Sequence, residues 1–256
     1  MAREQLTFTG ATGEQLAARL DVPDSGTPDA YVMFAHCFTG SKDVLAAVRI
    51  AKALWLRNFA VFRFDFTGLG DSEGDFANTT FSSNIDDLVA ASNYLRETRE
   101  APAVLIGHSL GGAAVLAAAS QIPEARAICT IGAPADPEHV AHHFDHARDE
   151  IEEAGEAEVS IGGRAFKIKR SFLDDIAGQR QKENIRKLGK ALLIFHSPID
   201  ETVGLENARQ IYEAASHPKS FICLDEADHL LTGREDAHYV AEVIAAWAAR
   251  YIGESA

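Results

Sequence analysis

The chain has 256 residues, 46% of them hydrophobic and 24% charged, and 24 Lys and Arg against 38 Asp and Glu leave a formal charge of −14. Binding phosphates takes clustered cations, and no basic stretch stands out, so nucleic acid and anionic membrane surfaces are excluded as expected partners. This composition is that of a packed globular protein rather than a disordered chain. The length fits one large α/β domain, or one such domain with an insertion, because single cores stop growing near roughly 250–300 residues.

Cys37, Cys129 and Cys223 are odd in number and far apart, so no disulfide framework is expected. The first residues show no apolar leader, and no run approaches the roughly 20 apolar residues of a membrane helix. A soluble, cytoplasmic protein is expected.

In chain order, residues 6–8 and 15–20 flank Gly10 and Gly13 and predict an opening hairpin. Residues 31–35 form a short apolar run typical of a buried strand, 43–57 repeat apolar residues at helical spacing, and 59–64 return to strand character. The alternation continues with a helix over 86–99, a strand over 103–106, a helix over 111–121 and a strand over 125–131. From 134 to 188 the rhythm changes: a charged helix over 136–154, alternating strands about a Gly162-Gly163 turn within 158–169, and a polar helix over 173–188. Strand 191–195, helix 206–215, strand 220–224 and helix 237–251 then restore the pattern. Strands separated by helices imply a mostly parallel sheet covered on both faces. The body is expected to comprise residues 1–133 and 189–256, with 134–188 inserted over it. The insertion holds twelve acidic and nine basic residues, so most of the negative charge belongs to the body.

The run Gly107-His108-Ser109-Leu110-Gly111-Gly112 joins the strand at 103–106 to the helix at 111–121. A G-x-S-x-G elbow in that setting holds its serine on a strained turn, tolerated when the residues two positions away on either side lack side chains, here Gly107 and Gly111. The helix start supplies free N–H groups and a positive dipole end, which aims the Leu110 amide at an oxyanion beside Ser109. The bare pattern also occurs where a helix merely packs closely on a strand; the flanking elements favour chemistry.

A serine hydroxyl is a weak nucleophile at neutral pH and needs a base, which an acid holds in one tautomer. With this elbow the partners follow in the order serine, acid, histidine. Asp200 follows the strand at 191–195 and His229 follows that at 220–224, so both fall at the carboxyl edge of the sheet with Ser109. Glu201 is a rival acid, while Asp225 and Asp228 read as turn or solvent residues. His36, His108 and His196 suit hydrogen-bonding roles at strand ends.

On this motif, residue order and element rhythm, the sequence resembles the α/β-hydrolases over nearly its whole length. The resemblance implies an α/β fold with a mostly parallel central sheet flanked by helices and a small cap inserted after the sixth strand. The family's loop after the third strand carries a second oxyanion donor. Here it reads His36-Cys37-Phe38-Thr39-Gly40-Ser41-Lys42-Asp43, and the resemblance assigns that donor to the Phe38 amide. Cys37 stands where the family usually has Gly, at a place where a side chain would penalise a positive φ; its thiol reads as buried and inert, with a redox role as the alternative. Residues 63–74 resemble the family's loop after the fourth strand, a scaffold feature. His36-Cys37-Phe38-Thr39 and Ser171-Phe172-Leu173-Asp174-Asp175 are similar to the hydrolase half of bacterial proteins fused to an osmotically inducible, peroxidase-like domain. A second domain after Tyr251 is not expected, nor is peroxidase chemistry.

The helix, hairpin and helix of the insertion resemble the lid of cinnamoyl and feruloyl esterases. Phe144, Phe166 and Phe172, with Phe38, are candidates to line an acyl or aryl pocket, and equally to pack the cap on the body. His139, His142, His143 and His146 fall near one helical face, where imidazoles can bind zinc; without further identifiable ligands, no metal or cofactor is expected.

The expected activity is cleavage of carboxylic esters of small to medium acyl or aryl acids through Ser109, His229 and Asp200. Amide, thioester or carbon–carbon bonds, and a non-catalytic binding protein on the same fold, are the alternatives. The expected partner is a small, neutral ester; a homodimer stays open.

Overall fold

The computed structural model describes residues 2–253. Eight strands form one sheet: β1 (Ala2–Thr9), β2 (Gln15–Val22), β3 (Ala30–Ala35), β4 (Phe59–Phe64), β5 (Val104–His108), β6 (Ala127–Ile131), β9 (Ala191–His196) and β10 (Lys219–Cys223). They lie in the order β1-β2-β4-β3-β5-β6-β9-β10. β2 runs antiparallel to both its neighbours, and every pairing from β4 to β10 is parallel. β3, β4, β5, β6 and β9 are buried along their whole length, because helices cover both faces and leave no solvated side to alternate with.

On one face α1 (Leu45–Leu56) and α8 (Arg234–Ile252) bury Ile50, Leu54, Val240 and Ile244 against the sheet. On the other, α2 (Phe81–Thr98) and α3 (Leu110–Ala118) bury Phe81, Leu88, Leu95 and the whole of α3. From β3 the chain adds β4 on one side and β5 on the other. This change of direction opens a crevice at the carboxyl ends of β3 and β5, where such sheets hold ligands.

Between β6 and β9 the chain passes through 3₁₀ turns over Pro137–Ala147, α4 (Arg148–Ala154), an antiparallel hairpin of β7 (Glu156–Ile161) and β8 (Arg164–Lys169), α5 (Arg170–Ala177) and α6 (Gln181–Arg186). α7 (Glu206–Ala214) joins β9 to β10. The apolar residues of the β6–β9 segment, among them Phe144, Ile168, Phe172 and Ile176, share one cluster with Phe81, Leu110 and Ala114. Polar ties reinforce this: the Asp175 carboxylate accepts from the Ser82 amide and hydroxyl at the start of α2.

Three expectations from the sequence change here. The helix expected over 86–99 begins at Phe81, because Thr80 and Ser83 form a reciprocal capping box with a serine in place of the usual Glu or Gln. The helix expected over 136–154 is 3₁₀ turns that break at Phe144 (φ −137°, ψ 24°) before α4; leaving helical geometry buries the Phe144 ring in the core. The helix expected over 173–188 is two, parted at Gly178, whose amide closes the end of α5 on Asp174 and Asp175.

Candidate active site

Ser109 sits between β5 and α3 with φ 55° and ψ −126°, a strained conformation costing on the order of 1–3 kcal/mol. The glycines around it answer to crowding. A Cβ on Gly107 would run into the Gly111 backbone, one on Gly111 into the carbonyl oxygens of Ala35 and His36, and one on Gly112 into Ala133. Their absence lets α3 lie directly on the strand ends and hold Ser109 at the crevice.

His229 Nε2 is 2.9 Å from Ser109 Oγ, and its Nδ1 is 2.7 Å from Asp200 Oδ2. The carboxylate fixes the tautomer: Nδ1–H donates to Asp200, leaving Nε2 to accept from the serine hydroxyl. The other carboxylate oxygen accepts from the amides of Thr202 and Val203 at 2.9 and 2.8 Å. Burial works to raise the Asp200 pKa, but the bonds from His229 and these amides prevail and hold it below the usual range. Glu201, the rival acid, is exposed, and Asp228 accepts from the Thr232 amide in its own turn.

Two buried histidines brace the loops. His196 Nε2–H donates to the Val203 carbonyl at 2.7 Å, and His108 Nε2–H donates to the His229 carbonyl at 2.7 Å. Burial pushes both pKa values down, that of His108 to about 4, so both are neutral donors at pH 7. Gly132, just after β6, has φ +54°, and a Cβ there would lie 3.2 Å from Asp200 Oδ2 and 3.3 Å from His229 Nδ1. In the sequence this residue carries no signal beyond a lone glycine at a strand end.

The loop after β3 is clamped. His36 Nδ1–H donates to the Cys37 carbonyl at 2.8 Å while Nε2 faces the Phe66 amide at 3.5 Å. Lys42 Nζ bonds Asp65 at 2.7 Å and Asp71 at 2.6 Å, and Arg63 donates to the Lys42 carbonyl. The stretch expected to be mere scaffold thus fastens this loop. The left-handed residue is Thr39, with φ 57°, so Cys37 meets no penalty. Burial pushes its thiol up to about 11, which keeps it protonated and unreactive. Among the described residues, the backbone N–H groups of Phe38 and Leu110 donate to no backbone carbonyl in the turns and loops.

A cleft of about 410 Å³ opens before this centre, lined in part by Ser109, His229, Phe38, His143, Ile161 and Arg164. Of the four phenylalanines expected to line a pocket, only Phe38 does so here. Phe144 and Phe172 are buried, with ring centres 6.5 and 5.6 Å from Phe38, and Phe166 stands edge-on to Phe76 at 5.1 Å. The histidine expectation changes as well. The kinked 3₁₀ turns give no single helical face: His142 faces Asp145 at 2.9 Å, and His143 enters the cleft. Among the described residues no group of three or more His, Cys, Asp or Glu could hold a metal ion. His143, marked in the sequence only as a possible zinc ligand, lines the cleft instead, and so does Arg164, which the sequence did not mark. Arg164 carried no signal beyond its place after a Gly-Gly turn.

Comparison with known proteins agrees with this architecture. The family model for serine aminopeptidases of the S33 group matches residues 26–146. A solved esterase domain of a Rhodothermus marinus protein is 48% identical, with a TM-score of 0.81 over 99% of this chain and 100% of that one. The chain belongs to the α/β-hydrolases. Est1E of Butyrivibrio proteoclasticus, solved with ferulic acid, shares the fold of this α/β-hydrolase at 21% identity and a TM-score of 0.81, over 96% of this chain and 99% of that one. Mouse mitochondrial palmitoyl-protein thioesterase ABHD10 is 24% identical over 81% of this chain and 71% of its own length. The Escherichia coli protein YfhR is 24% identical over 89% of this chain and 73% of its own. The α/β-hydrolase assignment thus spans esterase and thioesterase relatives. No helix among the described residues is long and apolar enough to cross a membrane.

Proposed function

We propose that this α/β-hydrolase is a serine carboxylesterase acting on esters of small to medium acyl or aryl acids. One observation carries the reading: the unbroken hydrogen-bonded line from Asp200 through His229 to Ser109 at the floor of a cleft open to substrate. Ser109 Oγ attacks the ester carbonyl as its proton passes to His229 Nε2, and Asp200 stabilises the imidazolium that forms. The carbonyl oxygen becomes an anion held by the Phe38 and Leu110 amides. His229 then gives its proton to the leaving alcohol, and water, activated by the same imidazole, frees the acid from the acyl-enzyme.

Residues 134–188 act as the cap in this reading, since His143, Ile161 and Arg164 reach the cleft wall from there. Ester substrates fit the cleft's size, which falls within the several hundred Å³ usual for small-molecule sites. The test is a panel of nitrophenyl and hydroxycinnamoyl esters of graded acyl length, with fluorophosphonate labelling of the wild type and Ser109→Ala. Hydrolysis and labelling that both vanish in the variant are expected; labelling that persists, or no turnover of any ester, refutes the assignment.

A thioester reading is favoured by one finding, the relative named as a palmitoyl-protein thioesterase. The same attack and the same oxyanion site serve both bonds. Oxygen esters and thioesters of one matched acyl group separate them: a thioester preference in kcat/KM at every chain length would make this the better description.

A further inference from the structure

Among the described residues lining the cleft before Ser109, Arg164 is the only Lys, Arg, Asp or Glu. It opens β8 opposite Ile161, directly after the Gly162-Gly163 turn. One N–H donates to the Thr39 carbonyl, and the guanidinium carbon lies 5.1 Å above the Phe166 ring. These contacts fix the position of the charge without neutralising it. Among the described residues no carboxylate pairs with Arg164, although the chain has 38 Asp and Glu and arginines elsewhere, such as Arg57, Arg96 and Arg209, hold one or two.

A guanidinium carries five donors in a planar fork that matches a carboxylate, and one bond to Thr39 leaves an edge for another acceptor. The overall charge of −14 does not forbid an anion here, because exposed charges beyond about 8 Å are largely screened at physiological salt, while Arg164 acts at contact.

We infer that the cleft takes esters bearing a carboxylate on the acyl or the alcohol side, and that Arg164 binds this group while Ser109 attacks. This rests on the esterase reading above and replaces the expectation of a neutral ester. The fold gives no preference between the two sides, so the test has an arm for each.

The acyl arm compares mono-para-nitrophenyl glutarate with para-nitrophenyl butyrate, and the alcohol arm meta-carboxyphenyl butyrate with phenyl butyrate. The readout is the ratio of kcat/KM, charged over neutral, taken within each enzyme so that any looser hold on Thr39 cancels. Wild type is expected to favour the charged ester in one arm by about tenfold, the worth of one charge-assisted hydrogen bond. Arg164→Gln brings that ratio to about one, Arg164→Lys restores part of it, and added salt lowers it in wild type. A wild-type ratio at or below one in both arms, or a ratio unmoved by Arg164→Gln, overturns the assignment and leaves ester hydrolysis standing. Turnover of none of the four esters sinks the esterase reading instead.

Discussion

Gly132 presents a bare Cα to the Asp200 carboxylate, and a methyl group there would lie 3.2 Å from Oδ2. The same methyl would lie 3.3 Å from His229 Nδ1 and would force an alanine to keep φ +54°. Gly132→Ala is therefore expected to push the Asp200–His229 pair out of line. A misplacement of about 1 Å can cost about 100-fold in rate, and the smaller shift needed here should lower kcat by roughly 3- to 10-fold with KM little changed. Steady-state kinetics on a nitrophenyl ester measures it; a wild-type kcat would show that the pair tolerates the contact.

Ser109→Ala removes the proposed nucleophile while keeping the packing of a buried residue. A loss of roughly 10⁴–10⁶ in kcat is expected, on the scale of triad knockouts in other serine hydrolases. Thermal unfolding should stay near wild type or rise slightly, because alanine at φ 55° keeps the strain but sheds a polar group. Activity within tenfold of wild type contradicts the assigned role.

Asp65→Asn tests the clamp beneath the loop that carries Phe38. Asp65 and Lys42 are both buried and bonded at 2.7 Å, and losing one partner of such a pair typically costs about 3–5 kcal/mol. The urea midpoint should drop accordingly. In whatever fraction stays folded, kcat should fall more than KM rises if the Phe38 amide holds the oxyanion as proposed. An unshifted midpoint would mean that Lys42 finds Asp71 alone sufficient.

Stability should weaken in mild acid. Folded His108 titrates near 4 instead of 6.5 because burial disfavours its cation. Between those values the unfolded chain binds a proton that the folded chain refuses, so the contribution is complete above 6.5 and is lost as pH falls towards 4. The loss from His108 reaches about 3 kcal/mol, and burial of His36 and His196 acts in the same direction. His108→Gln, whose amide nitrogen can take the place of Nε2 as donor to the His229 carbonyl, should flatten the fall of Tm between pH 6.5 and 4. An unchanged slope would assign the acid sensitivity to the other histidines.

The sequence by itself determined the strand and helix alternation, because buried parallel strands must be short apolar runs. It also determined the spacing of Gly107, Ser109 and Gly111, since an elbow this tight admits no side chains there. Chain order alone pointed to Asp200 and His229, whose approach to Ser109 then follows from the parallel sheet. Tertiary structure decided what depends on contacts between distant segments. Phe144 left its helical pattern because its ring had a core to enter, and that broke the face expected to be shared by His139, His142, His143 and His146. Gly132 matters only because Asp200 and His229, far along the chain, pass over it. Arg164 is an ordinary exposed hairpin residue until the fold sets it before Ser109 with no carboxylate at hand. Periodicity records which side of an element faces the interior, whereas a substrate cleft is made by elements that meet only on folding.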